Sequence, residues 1–96
     1  MQVEVITGQS GSGKTTQLQT IQAELKQQGV TAPIIVGNCC TTPYFLMQLQ
    51  RCAESGDRHF LADDCTRLQI QAVMELRDND NVQFPDDLIV HLVRQA

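Results

Sequence analysis

Hydrophobic residues fall along this chain in an alternating rhythm of short solid runs and spaced stripes. Val3-Glu4-Val5-Ile6 reads as a strand. From Lys14 to Gln28 the apolar positions Leu18, Ile21 and Leu25 recur at helical spacing, with Gln17, Gln19, Gln22, Glu24, Lys26 and Gln27 on the other face, and Gly29 stops the pattern. Pro33 introduces Ile34-Ile35-Val36, a continuous apolar run suited to a parallel strand covered on both faces, which ends at Gly37-Asn38. Thr41-Thr42-Pro43 carries a threonine cap and a first-turn proline, so it opens a second helix, which closes near Ser55-Gly56. In that helix Tyr44 and Phe45 are expected to pack against the sheet rather than to stack on a base.

His59-Phe60-Leu61-Ala62 then runs into Asp63-Asp64 as a third strand, with His59 at the strand edge. A third helix follows from about Thr66 to Arg77, expected to turn Leu68, Ala72, Val73 and Leu76 inward. After the polar segment from Asp78 to Pro85, Leu88 to Val93 is apolar all round, which suits a buried strand or a buried helix. Its β-branched content and the preceding βαβαβα order favour the strand. The resulting class is α/β: a three-layer sandwich in which a small, mainly parallel sheet of about four strands is flanked by helices.

The sharpest chemical signal lies between the first strand and the first helix. Gly8-Gln9-Ser10-Gly11-Ser12-Gly13-Lys14-Thr15 satisfies the spacing G-x-x-x-x-G-K-[ST]. A loop that wraps phosphates must turn successive backbone N–H groups inward, in conformations that glycine adopts cheaply, and Gly8, Gly11 and Gly13 stand at those bends. The following helix start adds unpaired N–H groups and a partial positive charge. Lys14 is expected to bind the β- and γ-phosphates, Thr15 to be a Mg²⁺ ligand, and Thr16 to complete the set of nucleotide-binding positions from Gly8 onward. The four fixed positions match by chance in roughly 0.3% of chains this short, so an ordinary glycine-rich turn is the weaker account.

Mg²⁺ also needs a carboxylate, and open α/β sheets place ligand groups at the carboxyl ends of their strands. Asp63 takes that role. Asp64 either orients an attacking water or caps the following helix. If Leu88 to Val93 is a strand, Arg94 and Gln95 emerge at the same edge.

The loop and the Phe60 to Asp64 strand together resemble the P-loop NTPase superfamily, over essentially the whole chain as one minimal domain, residues 1–96. The loop is similar to those of ATP-using members such as ABC-type and DNA-translocase ATPases. The resemblance implies that Leu88 to Val93 lies between the loop strand and the acidic strand, that Gln95 senses the γ-phosphate, and that the cofactors are Mg²⁺ and ATP. Hydrolysing relatives usually carry glutamate where this chain has Asp64, which implies slow hydrolysis, and no Asn-Lys-x-Asp guanine-reading motif is present.

Composition narrows the partners. Ninety-six residues, 42% hydrophobic and 19% charged, suit one globular domain, and no segment has the apolar length to cross a membrane. With the first strand starting at Val3, no leader is expected and the cytoplasm is the expected location. A net charge of −4 argues against direct nucleic acid binding by the isolated chain. Cys39, Cys40, Cys52 and Cys65 form no C-x-x-C pair and are expected to be free thiols rather than metal or redox groups.

The functional expectation is therefore a Mg²⁺-ATP-binding protein, a slow or partner-stimulated ATPase, with Lys14 and Asp64 as catalytic residues. A protein partner or homo-oligomer would supply an arginine, for which Arg51, Arg58, Arg67 and Arg77 are candidates. The alternative is a small interaction or regulatory protein, of viral or mobile-element type, that docks on another ATPase with or without nucleotide. A small nucleotide kinase is the weakest option, because no lid is legible.

Overall fold

The computed structural model describes residues 1–8 and 13–95. In it the chain runs β1 (Gln2–Ile6), α1 (Lys14–Gln27), β2 (Ile34–Val36), a 3₁₀ turn (Gly37–Cys39), α2 (Thr42–Glu54), β3 (His59–Cys65), α3 (Arg67–Asp78) and β4 (Ile89–Arg94). All strand pairings are parallel and the sheet order is β1-β4-β3-β2. The last strand in sequence is thus inserted between the first and third, the position that the resemblance implied.

That insertion settles the Leu88 to Val93 ambiguity. A strand flanked on both sides and covered on both faces has no solvent-facing positions, so it cannot show polar alternation. Leu88, Val90, Leu92 and Val93 are accordingly buried, and β4 pairs Val3 with Val90 on one side and Phe60 with Val90 on the other.

Alternation in the strands divides the core into two layers. Ile6, Leu61 and Val93 meet Leu18 and Leu25 of α1 together with Ala32. On the opposite face Phe60, Ala62, Val90 and Leu92 meet Phe45 and Leu49 of α2 and Val73 of α3. Phe45 and Phe60 lie edge to face with ring centroids 5.7 Å apart, the geometry favoured by aromatic quadrupoles. Burying each of the Val, Leu, Ile and Phe side chains among these contributes about 1.5–3 kcal/mol, which is why the α1 and α2 stripes dock where they do.

Local signals set the helix ends. Thr41 and Thr66 each accept a backbone N–H from the first turn of α2 and α3, at Tyr44 and Gln69. α1 and α2 close alike: Val30 N–H donates to Leu25 O at 2.9 Å and Asp57 N–H to Cys52 O at 3.2 Å.

Three expectations are corrected. Tyr44 is not core: it is 47% exposed beside a fully buried Phe45, because neighbouring residues on a helix point about 100° apart. Leu68 is 69% exposed, while Gln69 is buried at 1%. Gln69, Val73 and Leu76 form the inward stripe of α3, and Leu68 falls one position off it. Asp64 does not cap α3, since that position belongs to Thr66. Among the described residues no helix is long and apolar enough to cross a membrane.

Candidate functional site

A parallel sheet brings every strand's carboxyl end to one edge, and here that edge collects the residues singled out in the sequence. Gly8 follows β1, Gly13 and Lys14 open α1, Asp63 and Asp64 close β3, and Gln95 follows β4. Gln9, Ser10, Gly11 and Ser12 lie outside the described residues.

Gly13 sits at the N-cap of α1 with φ 85° and ψ 17°, a left-handed conformation costly for residues with a Cβ. Unlike α2 and α3, α1 has no side-chain cap, and its first turn carries no acidic residue. Among the described residues no side chain therefore satisfies its leading N–H groups.

Lys14 is the first residue of this helix and only 8% exposed. Its ammonium donates to Gly8 O at 2.9 Å and to Arg94 O at 3.0 Å, tying the end of β1 to the end of β4. An ammonium has three donors, and these two carbonyls are its partners among the described residues. One residue on, the exposed Thr15 hydroxyl lies 3.4 Å from Asp63 Oδ1. Thr16 is exposed in the same turn, and its carbonyl accepts from Thr20 at 2.9 Å.

The placement of Asp63 depends on a bulge. Ala62 faces Leu92 and Cys65 faces Arg94, so three steps along β3 match two along β4. The extra residue is accommodated by Asp64 at φ 51°, among the described residues the one non-glycine position with positive φ. Asp64 N–H donates to Asp63 Oδ1 at 2.8 Å, which fixes the carboxylate that also faces Thr15. Pairing resumes when Gln95 N–H donates to Cys65 O at 2.8 Å. The side chain of Gln95 is exposed at this edge.

Two oxygen donors from neighbouring strand and helix ends form the kind of partial set that Mg²⁺ accepts, because that ion normally completes its octahedron with water and phosphate oxygens. Thr15 and Asp63 fit such an ion. No group of three or more His, Cys, Asp or Glu side chains able to hold a metal occurs among the described residues.

A buried amide supports the edge from beneath. Gln69 Nε2 donates to Gly37 O at 2.7 Å and to Cys40 O at 3.2 Å, while its Oε1 accepts Thr66 N–H at 2.9 Å. The turn after β2 is thereby locked to the end of β3. The approach is so close that a Cβ on Gly37 would lie 2.5 Å from Gln69 Oε1 and 3.0 Å from Cys65 Cα. The capping-box spacing Thr66-x-x-Gln69 was the signal available in the sequence; the reach to Gly37 had none.

A second polar group crosses the sheet on the α1 face. The rings of His59 and His91 stack with centroids 5.4 Å apart, and His59 Nδ1 lies 3.1 Å from His91 Nε2. His91 Nδ1 is buried without a hydrogen bond, because Glu4 Oε2 at 3.6 Å is too distant for one yet close enough for charge attraction. Burial lowers the His91 pKa, the Glu4 carboxylate opposes that shift, and His59 adds to it. His59 is thus the partly buried first residue of an inner strand, stacked on its neighbour. Cys65, wholly buried, has its thiol pKa pushed up to about 12 by burial first and then by Asp63. Cys39 is exposed, and Cys40 and Cys52 are half-buried free thiols.

Compared with protein-family models, curated proteins and solved structures, the chain matches none.

Proposed function

We propose that this chain is a minimal P-loop-type protein that binds Mg²⁺-ATP at the carboxyl edge of its sheet and hydrolyses it slowly or on stimulation by a partner. The observation that carries this reading is the convergence of Lys14, Thr15 and Asp63 at a helix start whose N-cap is Gly13, directly behind the phosphate-loop spacing. A buried ammonium held by two carbonyls at the end of the sheet is oriented in advance for a phosphate oxygen.

Bound Mg²⁺ would neutralise charge on the phosphate oxygens and hold them in line for transfer. Within the chain, Thr15 and Asp63 would hold that ion, and Lys14 would orient the phosphate chain. Asp64 would accept a hydrogen bond from the attacking water. Gln95, following a β4 whose last carbonyl binds Lys14, is the residue best placed to report on the terminal phosphate. The shorter reach of Asp64 compared with glutamate supports slow turnover, and it also leaves room for the second reading, a regulator that docks on another ATPase.

Titration calorimetry of Mg²⁺-ATP into the full chain tests the proposal, with Lys14→Met as control because methionine keeps the buried stem and removes the ammonium. Charge-assisted hydrogen bonds contribute about 1.5–3 kcal/mol, so the variant should bind at least about tenfold more weakly. Sustained heat after saturation favours the ATPase over the regulator. Absence of saturable binding at millimolar ATP refutes nucleotide binding by the chain alone.

A further inference from the structure

Helix α2 buries Phe45 and Leu49 against the sheet, yet a second stripe runs the length of the same helix. Pro43, Met47, Gln50 and Glu54 recur at three and four residues and face sideways, with Leu46 and Ala53 beneath them. Across from this wall lies segment 82–85 of the α3–β4 connection, and Leu76 of α3 contributes to the floor. Together they enclose an open groove of about 510 Å³. Leu46, Ala53, Leu76 and Phe84 are only partly buried although each packs on the main core. Met47 at the lip is 39% exposed. An apolar floor left half-covered by three separate elements is costly to hydrate.

The rim is acidic. A neighbouring depression of about 560 Å³ shares Val82, Gln83, Phe84 and Pro85 with the groove and is edged by Asp80 and Asp86, while Glu54 stands at the helix end of the groove. Among the described residues, Asp80 and Asp86 have no ion-pair partner. Arg77, the one cationic side chain lining either depression, is engaged by Asp78 at 3.1 Å; Met1, with its α-amino group, lines the far part of the second depression, and no lysine lines either.

We propose that this groove is a docking surface for a cationic amphipathic helix of a partner protein. An apolar stripe of such a helix would cover Leu46, Met47 and Phe84, and its flanking lysines or arginines would meet Glu54, Asp80 and Asp86. The thirteen residues of α2 span about 20 Å, which matches roughly three to four turns of a helix laid alongside. The walls are a helix and a connecting segment with no strand edge, so strand addition has no template here. Nucleic acid and anionic lipid surfaces would be repelled by the carboxylates. A second copy would oppose this acidic rim with its own, and each copy carries a net charge of −4.

The test uses the full chain and a fluorescein-labelled helical peptide of leucine and lysine, roughly four turns long, followed by fluorescence anisotropy. The control peptide has glutamate in place of every lysine. Saturable binding of the lysine peptide alone is expected, weakened at least about tenfold by Met47→Asp and similarly by the pair Asp80→Lys and Asp86→Lys, and weakened by added salt. Asp80 and Asp86 are exposed, so charge reversal leaves the fold intact, which the thermal transition verifies. Lack of saturable binding, equal binding of the glutamate peptide, unchanged affinity in both variants, or a dimer that protects Met47 would each overturn the proposal.

Discussion

Replacing Gln69 by leucine tests whether the turn after β2 and the bulged end of β3 are held as one unit. The substitution keeps the side-chain size and removes three hydrogen bonds, those to Gly37 O, Cys40 O and Thr66 N–H. Each contributes about 1 kcal/mol net, or about 3 kcal/mol together. Gly37 O keeps a partner, because Cys40 N–H donates to it at 2.9 Å, whereas Cys40 O and Thr66 N–H lose theirs to a partly wetted site. The expected destabilisation is therefore about 2–3 kcal/mol, or about 10–20 °C in Tm for a domain of this size. Urea and thermal unfolding of the two proteins measure it. A companion cycle sharpens the argument. Gly37→Ala alone forces a methyl to within 2.5 Å of Gln69 Oε1, so its cost should fall by about 1 kcal/mol or more when Gln69 is already alanine. A Gln69→Leu loss below about 0.5 kcal/mol, or strict additivity of the Gly37 and Gln69 changes, would refute the picture of a single locked unit.

Other consequences are cheaper to check. Because His91 has a lower pKa folded than unfolded, the unfolded state binds more protons at acid pH, so the His91 contribution is fully present above about pH 6.5 and lost as pH falls below it. Urea midpoints between pH 7.5 and pH 5 should decline, and His91→Phe should flatten that decline. Asp64→Gly should raise stability by up to about 1 kcal/mol through relief of its positive φ, read from the denaturation midpoint, while any ATP hydrolysis slows. A thiol reagent at neutral pH should label exposed Cys39 first and leave Cys65 unmodified until the protein unfolds, as peptide mass mapping over time would reveal.

What the sequence could determine was whatever depends on neighbours a few residues apart. Helical stripes, the threonine cap at Thr41, and the glycine after α1 act within one or two turns, so α1, α2 and α3 are legible to within a residue or two, although the cap of α3 proved to be Thr66 and not Asp64. The phosphate-loop spacing and the acidic end of β3 are likewise local. Parallel strands share one carboxyl edge, so locating strands was enough to place Lys14, Thr15, Asp63 and Gln95 together.

Only the tertiary structure decided features that rest on long-range register. Whether Leu88 to Val93 was strand or helix depended on the neighbours that cover it, since a run buried on every side carries no period. The one-residue bulge at Asp64 exists because β3 and β4 fall out of step, which neither strand records by itself. Gln69 closes the capping box of α3 and is also a brace, a role without a local signal because its second set of partners lies some thirty residues away in sequence. The same holds for Glu4, His91 and His59, ordinary surface-type residues until three strands brought them side by side. Local chemistry writes the elements into the chain, whereas the partners of a buried polar group are chosen by packing.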